Sequence, residues 1–151
     1  MSSTKKSAKT TPLSLGVQYA VKGDALPTRA EVRKWVRATG PGAAEVTVRF
    51  VDADEGRRLN AQFRGKDYAT NVLTFVYAER PALAGDLVLC LPVVLREAGE
   101  QGKPVIAHFA HLVVHGMLHL QGYDHESDAE ARIMEERERE ILARLGHPDP
   151  Y

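Results

Sequence analysis

The sequence predicts an α/β (α+β) fold in which helices bracket a small sheet. Three observations carry that prediction. Short β-prone runs alternate along the chain with capped, amphipathic helical segments. Helix start and stop residues recur at close spacing. One segment, 104–122, is apolar nearly all round, which places it in the core.

The elements follow in order. LSLGVQYAV (13–21) is apolar and β-prone and reads as a strand. In LPTRAEVRKWVRATG, Thr28 and Glu31 form a capping box, Val32, Trp35 and Val36 make an apolar face, and Gly40 stops the helix. AEVTVRFV (44–51) alternates apolar and polar residues, the pattern of a half-buried strand. DADEGRRLNAQFRG (52–65) opens acidic and closes on Arg64 and Gly65, a polarity that suits a helix dipole despite Gly56. TNVLTFVY (70–77) and DLVLCL (86–91) read as strands. PVVLREAGEQG (92–102) starts with proline and ends with glycine, so it reads as a short helix. Pro104 is tolerated in the first turn of the long apolar helix, and Gly122 ends it. The last helix opens at Ser127, where Glu130 completes a second capping box, and runs to Leu145 before Gly146.

A chain of 151 residues is the size of one domain. The polar start, MSSTKKSAKTTP, has lysines but no apolar run of signal-peptide length, so residues 1–12 are expected to form a disordered leader before a single domain at 13–151. No stretch is long and apolar enough to span a membrane. The single cysteine, Cys90, excludes a disulfide within the chain and suits a reducing cytoplasm. Net charge is zero but unevenly spread: residues 1–66 carry thirteen basic against six acidic side chains, and residues 67–151 carry seven against fourteen. Such a split fits either solvated faces or a basic patch for a polyanion.

The stretch with most chemistry in it is HGMLHLQGYDH (115–125). His115 and His119 are four apart on a helix and share a face, about 6 Å apart in rise. His111 extends the row, but it lies about 12 Å along the axis from His119, too far for one tetrahedral ion with bonds near 2.0–2.1 Å. A third ligand must come back from beyond the helix. Gly122 can take a left-handed conformation and turn the chain, and His125 then returns toward the first two. The spacing is that of the zinc-hydrolase pattern H-E-x-x-H-x-x-G-x-x-H, except that Gly116 stands where a peptidase keeps its glutamate base.

Three neutral histidines with one open position form a catalytic type of zinc site, which can lower the pKa of bound water to about 7. Cys90 could in principle close such a site, but it lies on an expected strand with nothing local directing it there. The missing glutamate argues against peptide hydrolysis, where the leaving amine needs a proton. A phosphodiester is a better match, because its developing negative charge calls for arginine. Arg64 and Lys66 in FRGKDYATN (63–71) are the candidates. Asp124 either orients a ligand, acts as a base or caps the turn, and His111 is either a supporting group or a packed core residue. His108 and His147 are assigned no role.

These residues resemble the YbeY family, bacterial rRNA maturation factors and single-strand-specific endoribonucleases. The resemblance lies in HGMLHLQGYDH (115–125), preceded by HLVV, in LNAQFRGKDYATNVLTF (59–75), in GDLVLC (85–90) and in the tail LGHPDPY (145–151). It implies a small domain with a mixed four-stranded sheet flanked by helices. It also implies one zinc ion per chain on His115, His119 and His125, and an arginine for RNA cleavage at Arg64. The implied activity is processing of ribosomal RNA, notably the 3′ end of 16S rRNA, with a role in ribosome quality control in the cytoplasm. Its partner would be rRNA in the small ribosomal subunit. Two rivals remain at this stage: a metalloprotease or amidase, and a ribosome-assembly factor that holds RNA around a structural zinc without cutting it.

Overall fold

A computed structural model of the chain describes residues 13–79 and 82–151. The leader expected at 1–12 lies outside the described residues. Among the described residues, nine elements follow one another: β1 (Leu13–Tyr19), α1 (Arg29–Ala38), β2 (Ala44–Val51), α2 (Ala53–Arg64), β3 (Val72–Ala78), β4 (Leu83–Cys90), α3 (Leu91–Gln101), α4 (Val105–Leu120) and α5 (Asp128–Arg144). The sheet has four strands in the order β1-β2-β4-β3. β1 pairs with β2 and β2 with β4 in parallel, whereas β3 runs antiparallel to β4 at the edge. The sheet is therefore mixed, as expected.

Alternation sorts the strands into two faces. On the inner face, Val46, Val48 and Phe50 of β2 and Leu83, Leu87 and Leu89 of β4 join the main core with Phe109, Val113 and Met117 of α4. On the outer face, Val51, Leu73, Val88 and Cys90 form a smaller cluster, against which Leu59 of α2 and Phe75 of β3 pack. The helices α2 and α4 thus lie on opposite sides of the sheet. On the far side from the strands, α4 meets α5, whose buried stripe is Met134, Glu138, Ile141 and Leu142.

The helix ends are where the sequence signals place them. Thr28 with Glu31, and Ser127 with Glu130, form complete capping boxes. At the end of α4, Gly122 N–H donates to His119 O and Tyr123 N–H to Leu118 O, both at or near 3 Å, with Gly122 at φ +101°. That pair of bonds is the Schellman arrangement, which satisfies the last carbonyls and turns the chain back.

Several boundaries differ from expectation by up to three residues: β1 ends at Tyr19 and β3 starts at Val72, each two residues inside the expected run, and the largest difference is at β4. β4 starts at Leu83, three residues before Asp86, because Leu83, Ala84 and Gly85 continue the parallel ladder opposite Ala44, Glu45 and Val46. Gly85 sits inside the strand for a packing reason. A Cβ there would lie 2.6 Å from Phe75 O and 2.8 Å from Leu120 Cδ2. The glycine lets β3 and the end of α4 close on the sheet together.

Candidate active site

The histidine row of α4 is visible in its burial. Apart from its first two residues, α4 is buried everywhere except His111, His115 and His119, which form a partly exposed stripe at a spacing of four. The Gly122 turn brings His125 back to this stripe. Its ring centroid lies 5.7 Å from that of His115 and 6.3 Å from that of His119, with both ring pairs nearly parallel. Two imidazoles on one tetrahedral zinc would have centroids about 5 Å apart. Among the described residues, no three His, Cys, Asp or Glu side chains are already closed tightly enough to hold an ion.

The protonation pattern of the rings suits metal ligation. His115 Nδ1 lies 2.6 Å from Glu138 Oε2, and His111 Nε2 lies 3.0 Å from Glu138 Oε1. A carboxylate can only accept, so His115 Nδ1 and His111 Nε2 are the donors. A neutral His115 then keeps its Nε2 lone pair for a cation. His111 has its Nε2 committed to Glu138, and its Nδ1 is buried without a hydrogen-bond partner. His119 Nδ1 is also buried without a hydrogen-bond partner. Burial, then the charge of His115, pushes the His119 pKa down, so the ring stays neutral as ligation requires. Three imidazoles, the first of them oriented by a carboxylate, are a donor set that fits a zinc ion.

Glu138 was not legible as a site residue in the sequence, where it is one of many glutamates in EERERE. The signal that could have found it is its position. It occupies the apolar stripe of α5, four residues after Met134 and three before Ile141, and it is fully buried. Burial alone would raise its carboxyl pKa. Hydrogen bonds from His111, His115 and the Tyr151 hydroxyl outweigh that and hold it down at about 2. A buried charge is tolerable only when it is so paired.

Asp124 accepts the His125 backbone N–H at 2.7 Å, and its Oδ1 is 4.0 Å from His125 Nδ1. It caps the turn that carries the third histidine. Cys90 is on the other side of the sheet: its Sγ lies 3.6 Å from Asp52 O in the outer cluster, and burial pushes its thiol pKa up. It does not approach the histidines.

Arg64 ends α2, and Gly65 follows at φ +69°. The loop to β3 is pinned at three points. Arg57 forks onto Asp67 at 2.7 and 3.0 Å, buried Asn60 donates to Tyr68 O at 2.8 Å, and Asn71 donates to Glu97 at 3.0 Å. Arg49 likewise forks onto Glu55. Part of the N-terminal basic excess is thus matched internally, while Arg64 and Lys66 are exposed and form no ion pair with the described residues. No contact joins them to the histidines. Edge strand β3 intervenes: Thr74 faces α4 beside Gly116, and Phe75 meets Phe63 of α2 at 5.3 Å between centroids. A cleft lined by Val76, Glu79, His119 and Gly122 opens on the inner side of this edge, and a groove lined by Phe63, Phe75, Val76 and Tyr77 on the outer side. Val76 belongs to both.

A second buried network stands beside the site. His108 Nε2 donates to Glu97 at 2.8 Å, and Asn71 donates to the same carboxylate. Burial pushes the His108 pKa down, against the pull of Glu97 and with help from Lys103 and His111. Burial also lowers His147, aided by Lys34 and opposed by Glu31. Both rings are neutral in the fold and protonate more readily once unfolded. Below about pH 6.5 the unfolded chain therefore binds protons that the folded chain refuses, and stability falls. The melting temperature, stable near pH 7.5, is expected to decline between pH 6.5 and 5.5. In His108→Gln the slope of that decline should be shallower.

The family model for endoribonuclease YbeY matches residues 21–146. The chain is 62% identical to the endoribonuclease YbeY of Aromatoleum aromaticum over 142 residues, covering 92% of each chain. It is 64% identical to that of Paraburkholderia phytofirmans over 129 residues, covering 84% of each. The fold is similar to the solution structure of a Thermotoga maritima protein, with a TM-score of 0.58 at 30% identity, covering 87% of this chain and 91% of that one. A match of this extent, containing both the histidine turn and the Arg64 loop, places the chain in the endoribonuclease YbeY family.

Proposed function

We propose that the protein is a zinc-dependent, single-strand-specific endoribonuclease that matures ribosomal RNA, including the 3′ end of 16S rRNA, and acts in ribosome quality control in the cytoplasm. His115, His119 and His125 would hold one zinc ion per chain. The observation that carries this reading is the committed Nδ1 of His115. Its hydrogen bond to Glu138 leaves one nitrogen for a cation, on a ring within 6 Å of His125. When bound, zinc supplies Lewis acidity toward a phosphodiester and a lowered pKa for water.

The chain's own residues would do the rest. Arg64 and Lys66, exposed and unpaired, face phosphate without first breaking an ion pair. The pinned loop that follows Arg64 fixes where the guanidinium can reach. Because β3 separates these cations from the histidines, a substrate strand must cross the edge at Val76 to touch both. A flexible single strand can bend over such an edge, whereas a duplex with a persistence length of about 150 bp, as DNA has, cannot. That supports single-strand preference.

The test is metal analysis of the purified protein with cleavage of matched single-stranded and duplex RNA. One zinc per chain and cutting confined to the single strand are expected. Protein without bound metal, or equal cutting of duplex, would refute the reading. Arg64→Ala is expected to lower kcat by about 10²–10³, the loss typical of one preorganised donor. Arg64→Lys should recover little of it, because lysine keeps the charge but not the planar fork. Wild-type cleavage by Arg64→Lys would remove Arg64 from the site.

A further inference from the structure

The segment after α5 folds back along it. Gly146, at φ +87°, lets His147 N–H donate to Leu142 O at 2.8 Å, and the His147 ring meets Trp35 edge-on at 6.3 Å between centroids. Beyond Pro148 the chain is tied down again. Asp149 takes both of its carboxylate oxygens to Arg139 Nε at 3.1 Å and also accepts the Tyr151 N–H at 2.9 Å. The Arg139 guanidinium stands 5.2 Å from the centre of the Tyr151 ring. The result is that the Tyr151 hydroxyl reaches the buried carboxylate of Glu138 and donates to Oε1, while the ring lies edge-on to His111 at 5.4 Å.

We propose that Tyr151 is a positioning residue for the metal site: it clasps Glu138 so that the carboxylate holds His115 as the Nδ1–H tautomer, with Nε2 available to a divalent cation. The role is assigned by how the acceptor sites are divided. Oε1 of Glu138 serves Tyr151 and His111, which leaves Oε2 to His115 alone. Glu138 sits on a helix, and three rotatable bonds separate its backbone from its carboxylate oxygens. Without the hydroxyl, only His111 would oppose rotation of the carboxyl group away from His115. Neighbours of a metal-bound histidine that fix its tautomer and ring orientation typically change metal affinity 10–100-fold when removed. Tyr151 acts one bond further out, through Glu138, and does so from a segment more than thirty residues along the chain from His115.

This inference rests on the three-histidine zinc site proposed above, and the experiment separates the two. Zinc affinity is measured by competition with a chromophoric chelator for the wild type, Tyr151→Phe and Asp149→Asn. Melting temperatures of the three metal-free proteins are recorded in parallel. The tautomer of His115 in the metal-free state is read from imidazole ¹⁵N shifts. Tyr151→Phe keeps the ring and its packing, so it is expected to remain folded. Its zinc affinity should fall about tenfold or more, and its His115 should show a mixture of tautomers in place of Nδ1–H. Asp149→Asn, which only loosens the strap, should shift both readings the same way by less. If the wild type binds no zinc, the site proposal itself fails. If the wild type binds zinc and Tyr151→Phe binds it equally well with the His115 tautomer unchanged, the clasp is overturned while the site stands. A lower melting temperature with unchanged affinity and tautomer would likewise overturn it, since Tyr151 would then be a packing residue only.

Discussion

His115→Ala is expected to lower RNA cleavage by about 10³-fold or more, because it removes a metal ligand and with it the activation of water. The variant should still fold. His115 is partly exposed, with 26% of its side chain accessible, so truncation leaves no sealed cavity. The cost falls on Glu138, which loses the donor to Oε2 but keeps His111 and Tyr151 on Oε1. Loss of one hydrogen bond to a charged group costs about 1.5–3 kcal/mol. That is a large fraction of the stability of a small domain but less than the whole. Cleavage, zinc content and RNA affinity measured on the same preparation check the expectation. Cleavage and zinc should disappear together while RNA affinity changes little, because the exposed cations of the Arg64 loop are untouched. A folded, zinc-free His115→Ala that still cut RNA would remove the histidines from the chemistry. Unfolding of the wild type on zinc removal would favour the rival in which zinc is structural.

That the histidine turn could be read from sequence has a local cause. Every signal involved lies within eleven residues: a spacing of four fixes His115 and His119 on one face, and Gly122 with φ +101° supplies the reversal that returns His125. The capping boxes at Thr28 and Ser127 were legible for the same reason, since each is closed within four residues. What could not be read is tertiary. Glu138 and Tyr151 meet His115 only because α5 packs on α4 and the tail folds back, and nothing near Glu138 in sequence mentions a histidine. The start of β4 at Leu83 is set by its ladder with β2, a pairing that the local pattern around Asp86 does not encode. The separation of Arg64 from the histidines by β3 depends on strand order, which periodicity does not encode. Proximity of motif residues in the chain gave their identity but not which side of the sheet each would occupy.

Gly116→Glu, which would restore the glutamate of the peptidase pattern, is expected to prevent folding. Gly116 is buried where α4 crosses the sheet. A Cβ added there would lie 2.8 Å from Leu87 Cδ2, 3.2 Å from Leu87 Cδ1 and 3.4 Å from Thr74 Cγ2. Leu87 is itself fully buried, so its methyl groups have no solvent side to retreat to. Two opposing effects decide the outcome for alanine. Replacing a mid-helix glycine by alanine gains about 1 kcal/mol of helix propensity, while overpacking a tight core costs about 1–3 kcal/mol. Gly116→Ala should therefore be destabilised by up to about 2 kcal/mol, yet remain active. Glutamate adds four more heavy atoms beyond the clashing Cβ, three of them a carboxyl group facing Leu87 and Thr74. An unpaired carboxylate in such surroundings must either take up a proton or pull the helix off the sheet, each at a cost of several kcal/mol. The total exceeds what a domain of this size holds in reserve, about 5–15 kcal/mol at most and often near the lower bound. Urea titration followed by near-ultraviolet circular dichroism would show a lowered midpoint for alanine and no native transition for glutamate. The glycine is thus a contact residue, and the helix that presents the histidines lies close on β3 and β4 because nothing larger stands at position 116. A Gly116→Glu protein that folded with wild-type stability and acquired peptidase activity would contradict this and return the protease reading to first place.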